Sequence, residues 1–370
     1  HYFPPFRIFR YLTFRTAFAS LTALFTALIV GPIVINRLRE FQIGQFIREE
    51  GPKAHQKTAV TPTMGGLLIA ISIVVPTLLW ADLSNLFVWI AVFATCAFAA
   101  IGFADDYIKV VNRRNLGLTS KAKLGLQIAV SILIAVALIA MQTRGAYSTK
   151  LMVPFIKQFH PDLVIEKLVN NPALWPLASV PFAAFVVLVT VGSSNAVDLT
   201  DGPDGLATGR TLFAAGALAV LTYVSGHATF AQYLELQRMP LAGELTIFCG
   251  AMVGAAIGFL WYNAHPAEVF MGAVGSLALG GAIGTVAVII KQELLLPFIC
   301  CIFVIAALSV ILHVASYQLR KTRIFTMAPL HPLFELLRWS ASQIILRFCL
   351  GCLVLALFAL TPFNLRLSLL

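Results

Sequence analysis

The stretch LFVWIAVFATCAFAAIGFADDYIK, residues 86–109, carries the reading on which the fold depends. Its first part, 86–104, has no charge and is one bilayer crossing long, because a hydrocarbon core of about 30 Å needs about 20 helical residues. It then runs straight into Asp105 and Asp106, with Lys109 three residues on. A second uncharged run, 173–192, is followed in the same way by Asp198, Asp201 and Asp204. The chain has only seven aspartates, so five of them stand at these two borders. A carboxylate at the edge of a membrane segment is costly unless something compensates it. A divalent cation, or a polyanion held beside basic residues, does so most simply, and the first reading is a membrane-embedded metal and phosphate site.

Composition extends that reading to the whole chain: 59% of its residues are hydrophobic and the mean hydropathy is +0.88. Apolar runs of spanning length recur at 15–38, 64–82, 86–104, 123–142, 173–192, 206–226, 241–263, 269–290, 293–318 and 343–362. In lipid every backbone polar group must be satisfied within the segment, so these runs predict helices. The expected fold is all-α, a polytopic integral membrane protein of about ten transmembrane helices. Residues 1–370 are read as one transmembrane domain, with a polar external loop at 143–172 holding one short helix or hairpin. The expected cytoplasmic loops are 39–63, 105–122, 193–205, 263–268 and 319–342.

Those loops carry Arg37, Arg39, Arg48, Lys53, Lys57, Lys109, Arg113, Arg114, Lys121, Lys123, Arg320, Lys321, Arg323 and Arg338, and the positive-inside rule makes that side cytoplasmic. Both termini then lie outside. The start, 1–14, shows no cleavable signal pattern. All six cysteines fall within the apolar runs at no metal-binding spacing and read as small buried hydrophobes. A net charge of +10 suits anionic lipid and anionic substrates, and without a soluble basic domain it argues against nucleic acid.

The parity of the spans gathers the polar motifs on one face. GFADDYIK (102–109) places two acids about 100° apart on a helix, with Lys109 within a turn of both; a solvated helix end with an Asp-Lys pair has the same pattern. NAVDLTDGPDGLA (195–207) repeats Asp every three residues with two Asp-Gly steps, as a pocket wall would, although Asp204 could equally cap the sixth span. TPTMGG (61–66) opens the second span, and FMGAVGS (270–276) supplies an aromatic and a glycine-rich helix start after Asn263 and His265. APLHPLFE (328–335) brings His331 after a basic stretch. A transporter is disfavoured, since these groups gather at one face and not at the bilayer midplane.

Taken in order over about ten spans, these motifs resemble the phospho-N-acetylmuramoyl-pentapeptide transferases, within the polyprenyl-phosphate N-acetylhexosamine-1-phosphate transferase superfamily. The resemblance implies transfer of phospho-N-acetylmuramoyl-pentapeptide from UDP-N-acetylmuramoyl-pentapeptide to undecaprenyl phosphate, giving lipid I and UMP for peptidoglycan. It implies Mg²⁺ as cofactor and the bacterial inner (cytoplasmic) membrane as location, and it leaves room for a homodimer. Carried over by position, the catalytic residues are Asp105, which would deprotonate the lipid phosphate, Asp106, Asp201 and His331. The substrate-binding residues are Lys109, Lys121, Lys123, Asn195, Asp198, Gly202, Asp204, Asn263 and Phe270, and the metal falls to Asp105 and Asp106.

The chain departs from the family pattern at four points. Ala273 stands where the family's FMGD motif has an aspartate, and a methyl group cannot ligate Mg²⁺. The family's three consecutive histidines are reduced to His331 before Pro332 and Leu333. The family's NLTDGLDG is here Asp198 to Gly205, exchanging an amide for a charge, and the base expected three residues after His55 is Thr58. The expectation is therefore the transferase fold and lineage with reduced turnover. The alternatives are a related enzyme moving N-acetylglucosamine 1-phosphate and a non-catalytic UDP-sugar or lipid-binding relative.

Overall fold

The computed structural model describes residues 8–40, 61–112, 116–154, 160–165, 175–202, 205–233, 237–321, 334 and 339–361 of the chain. His55, Lys57, Thr58, Asp204 and His331 lie outside them. Ten long helices carry the architecture among the described residues. They are α1 (Leu12–Glu40), α2 (Gly66–Trp80), α3 (Leu86–Val111), α4 (Ser120–Thr143), α5 (Val180–Leu199), α6 (Leu206–Gly226), α7 (Leu245–Asn263), α8 (Gly272–Ile289), α9 (Cys301–Arg320) and α10 (Ala341–Leu360). Each coincides with one expected span. Nine of the runs are long and apolar enough to cross a membrane, and α2 is shorter. The outward faces are apolar: Phe25, Ile29 and Ile33 on α1, Leu308 and Leu312 on α9, and Leu350 and Val354 on α10 are all exposed. Such faces need hydrocarbon around them.

The helix α8 is the axis of the molecule. Every residue from Ala273 to Ile289 is buried, and α2, α3, α5 and α6 pack around it. Its sequence, GAVGSLALGGAIGTVAVI, explains how so many neighbours fit: small residues let backbones approach where lipid supplies no hydrophobic drive. A methyl added at Gly66 of α2 would fall on the backbone of Gly275, one at Gly102 of α3 on that of Ala273, and one at Gly280 on Ser193 and Ser194 of α5. The Ser193 hydroxyl donates to the Gly280 carbonyl at 2.8 Å across that last contact. The same device joins α1 to α7. Ala19, Ala23, Ala27 and Gly31 form a buried stripe on α1, and Gly250, Gly254 and Gly258 face it at the same four-residue spacing.

Three expectations are corrected in register. Residues 105–111 and 193–199 were read as loop, yet α3 runs to Val111 and α5 to Leu199, so Asp105, Asp106, Asn195 and Asp198 stand on rigid helix ends. The second span begins later than expected, at Gly66, and its 15 residues reach only about 22 Å. The segment before it is drawn out of the helix by Met64, whose φ is 71°, and by pairing with residues 270–271. Cys96 faces out of the bundle and is not buried, whereas Cys249, Cys300 and Cys352 are; the described cysteines are all free thiols. Between α4 and α5, Lys150 and Asp162 form an antiparallel bridge and Thr149 donates to Asp162 at 2.7 Å, a hairpin-like contact.

At the start of α1, Arg15 forms a two-pronged pair with Glu244, at 2.6 and 2.9 Å. Glu244 also accepts the N–H of Asp82. Below it Lys291, wholly buried, pairs with Glu293 at 3.0 Å and lies 5.1 Å from the centre of the Tyr147 ring. The sequence shows Lys291 only as an isolated base. Separation of such a buried pair costs about 3–5 kcal/mol, since the remaining charge has no solvent.

The close contact of α2 with α8 yields a test. Gly66→Ala is expected to destabilise the protein by about 1–3 kcal/mol through overpacking. Gly125→Ala, where a methyl meets nothing within 4 Å, should cause no loss. Thermal unfolding of the two purified variants in detergent decides it, and equal midpoints would contradict this account of the packing.

Candidate active site

The site is built at the C-terminal ends of α3 and α5 and the starts of α4 and α8. Residues 62–66 and 270–271, the two weakest motifs in the sequence, lie side by side. Phe270 N–H donates to the Pro62 carbonyl at 2.9 Å, and the N–H groups of Gly65 and Gly66 donate to the carbonyls of Phe270 and Met271 at 2.9 Å. Gly272 then turns into α8 with φ 69°, a conformation that suits a residue without Cβ, and a methyl there would strike the Asp106 carboxylate and the Thr63 hydroxyl.

Two carboxylates bracket the first turns of α8. Asp106 Oδ2 accepts the Val274 N–H at 3.3 Å, and Asp198 Oδ1 accepts the Ser276 hydroxyl at 2.7 Å. An anion is favoured there because the first N–H groups of a helix have no partner within it. Asp105 and Asp106 are only 4% and 3% exposed, so their charges need counterparts. Lys109 supplies them, at 2.6 Å from Asp105 and 3.1 Å from Asp106. Lys123, from the start of α4, reaches Asp198 at 2.5 Å and Asp105 at 4.0 Å. The other oxygen of Asp105 accepts the Leu118 N–H at 2.8 Å, which ties in the segment leading to α4.

Asp201 follows on the turn after α5 and is partly buried. Burial, and then the negative charges of Asp198 and Asp106, push its carboxyl well above the usual 3.8, against the opposing pull of Arg210 and Lys109. Gly202 is beside it, and Gly205, with φ 82°, turns the chain into α6.

The remaining sequence-derived residues have distinct settings. Lys121 is exposed on the first turn of α4, and Phe270 is half-buried beside the Pro62 pairing. The Asn263 amide is engaged inside the protein: it accepts from Thr208 at 2.8 Å and donates to the Val269 carbonyl at 2.9 Å. Asn195 donates to Gln127 of α4 at 2.7 Å and to the Val191 carbonyl at 2.9 Å. These two amides, as they stand, shape the wall of the site by holding its helices and loops. Ser276 and Arg210 were missed by sequence reasoning. A serine one turn beyond FMGA was a faint signal; a lone arginine inside an apolar run was a plain one.

Among the described residues, no three His, Cys, Asp or Glu side chains come together as a metal cage. Mg²⁺ is seldom held by one: it keeps waters and takes one or two carboxylates together with substrate phosphates. The adjacent acids of α3 fit that manner of binding in donor type and in number.

Known proteins resemble this chain over nearly its whole length. The model of the family described as glycosyl transferase family 4 matches residues 88–291, the segment holding every sequence-derived site residue except His331. The phospho-N-acetylmuramoyl-pentapeptide-transferase of Koribacter versatilis is 73% identical over 366 residues, covering 99% of this chain and 97% of the relative. Those of Acidobacterium capsulatum and Solibacter usitatus are 70% and 60% identical, with the same coverage. The chain belongs to the phospho-N-acetylmuramoyl-pentapeptide-transferase family. The matched segment runs from α3 to just beyond α8 and so includes the central helix and both carboxylate-bearing helices.

The raised Asp201 carboxyl gives a pH test. The folded state holds that proton more tightly than the unfolded chain does, so its contribution to stability is full at low pH and is lost as pH rises above the ordinary 3.8. Asp201→Asn should remove the loss and melt higher than the parent at neutral pH, the two converging in acid. Thermal unfolding in metal-free detergent across pH measures this; parallel curves would refute it.

Proposed function

We propose that this protein transfers phospho-N-acetylmuramoyl-pentapeptide from its UDP carrier to undecaprenyl phosphate, releasing UMP, at the cytoplasmic face of a bacterial inner membrane. One observation carries the reading: four carboxylates, Asp105, Asp106, Asp198 and Asp201, alternate with Lys109 and Lys123 around the N-terminus of a buried helix. Lipid phosphate and nucleotide diphosphate are both polyanions, and one must arrive from the bilayer and the other from the cytoplasm. A charged centre on helix ends at the membrane border suits that meeting. Arg37 and Arg39 on the last turn of α1, Lys109 on the last turn of α3, and Lys121 and Lys123 at the start of α4 are the bases that support this orientation.

In the proposed reaction an oxygen of undecaprenyl phosphate attacks the phosphorus that bears the sugar. A new P–O bond forms, the bond to UMP breaks, and UMP departs with the bridging oxygen. Asp105 takes a proton from the attacking phosphate. Lys109 and Lys123 leave their carboxylates to take up charge on the phosphates, which makes their ion pairs a resting state of the site. Lys121, exposed at the rim, adds to the field that draws the nucleotide in. Asp201, Gly202 and Phe270 face the nucleoside, with Asn195, Asp198, Asp204 and Asn263 completing or bracing that pocket, and His331 contributes from the α9–α10 connection. Asp105 and Asp106 would hold Mg²⁺, which supplies charge neutralisation on the diphosphate. A homodimer is compatible with the broad apolar faces of α9 and α10.

The decisive assay is UMP release from UDP-N-acetylmuramoyl-pentapeptide, undecaprenyl phosphate and Mg²⁺, with the parent run beside Ala273→Asp. The parent is expected to turn over slowly and to stop on chelation of the metal. The variant should be faster by about 10–100-fold, the range over which metal sites respond to their surroundings. Silence in both defeats the reading, and faster turnover with UDP-N-acetylglucosamine reassigns the substrate.

A further inference from the structure

The proposed chemistry leaves the buried cation beside the Asp201 turn without a task. Arg210, on the second turn of α6, is 1% exposed and is the helix's one charged residue. A guanidinium in such a place is expensive and is retained where it holds something. Its Nε donates to the Leu206 carbonyl at 2.9 Å, and its Nη2 donates to the Thr200 carbonyl at 2.9 Å. Those carbonyls stand at the two ends of the segment that carries Asp201 and Gly202. Thr200 is also the residue that caps α5, so its carbonyl is among those a helix end leaves without an intrahelical partner, and a cation is favoured there. The planar fork of Arg can hold both carbonyls at once, which a lysine ammonium on a single flexible stem cannot do in the same geometry.

The guanidinium has further neighbours. Its carbon lies 5.0 Å from the centre of the Phe303 ring on α9 and 5.8 Å from that of Phe348 on α10, both within reach of a cation–π contact. At Gly209, next to Arg210, a methyl would press on the Cys349 sulfur, so α6 and α10 approach closely at this level. The connection between α9 and α10 contains His331.

We propose that Arg210 is a positioning residue: it clasps both ends of the Thr200–Leu206 segment, sets the reach of Asp201, and couples that segment to the α9–α10 pair through Phe303 and Phe348. The catalytic part of this inference rests on the transferase reading, whereas the clasp itself does not.

Hydrogen–deuterium exchange of the full chain, with parallel kinetics, tests both. Arg210→Gln should speed exchange in peptides spanning 198–207 at least tenfold, with α8 unchanged. Arg210→Lys, which keeps the charge and one of the two bonds, should fall between parent and Arg210→Gln. Phe303→Leu should loosen the same peptides and add nothing further to Arg210→Gln. At equal amounts of folded protein, kcat/KM for the UDP-linked substrate should fall in the same order. Should Arg210→Gln fail to fold, Arg210→Lys and Phe303→Leu still decide the matter. Exchange in 198–207 that ignores both of them overturns the proposal. A parent that binds but never releases UMP defeats the transferase reading instead, and the exchange result then judges the clasp alone.

Discussion

The burial of α8 on every side is the constraint from which the rest of the structure follows. A helix with no lipid-facing surface can be surrounded by four neighbours only if its side chains are small, and its glycines and alanines meet backbone on α2, α3 and α5. The close approach fixes the ends of those helices to within a side chain of one another. It also seals the N-terminus of α8 in protein, where unpaired N–H groups need acceptors and bulk water is scarce. Asp106 meets that need at the Val274 N–H, and Asp198 takes the Ser276 hydroxyl two residues on, so the packing of the core and the charge of the site are one arrangement.

Placing acids there creates a second requirement, which the lysines satisfy. Lys109 serves Asp105 and Asp106 from the next turn of the same helix, and Lys123 crosses from α4 to Asp198. The resulting centre sets two lysines against three carboxylates and is rich in groups that can exchange partners. A polyanionic substrate can draw the lysines away and leave carboxylates free for a proton or a metal. The other end of α8 is closed by the Lys291–Glu293 pair, whose ammonium also donates to the Tyr147 hydroxyl at 3.3 Å.

Much of this was legible in the chain. Ten hydrophobic runs gave ten helices because a bilayer leaves a polypeptide one local solution, and each helix satisfies its own backbone. The clustering of Asp105, Asp106, Asp198 and Asp201 at one face followed from span parity alone. The departures are equally physical. The apolar runs stop at polar residues, Asp105 in one and Ser193 in the other, while the helices continue to Val111 and Leu199 because hydrogen bonding in a helix is indifferent to hydropathy. Asn195 and Asn263 drew attention as polar groups near the site, and the structure shows each amide tied to its neighbours.

By itself, the sequence determined the all-helical membrane fold, the side on which the acids collect and the family, because length, hydropathy and motif order are properties of the chain taken locally. Only the tertiary structure decided which lysine meets which carboxylate, that TPTMGG pairs with the FMGA segment, and that Arg210 spans the two ends of the Asp201 turn. Those contacts join residues far apart in the chain, and their partners are chosen by how closely small side chains allow the helices to approach.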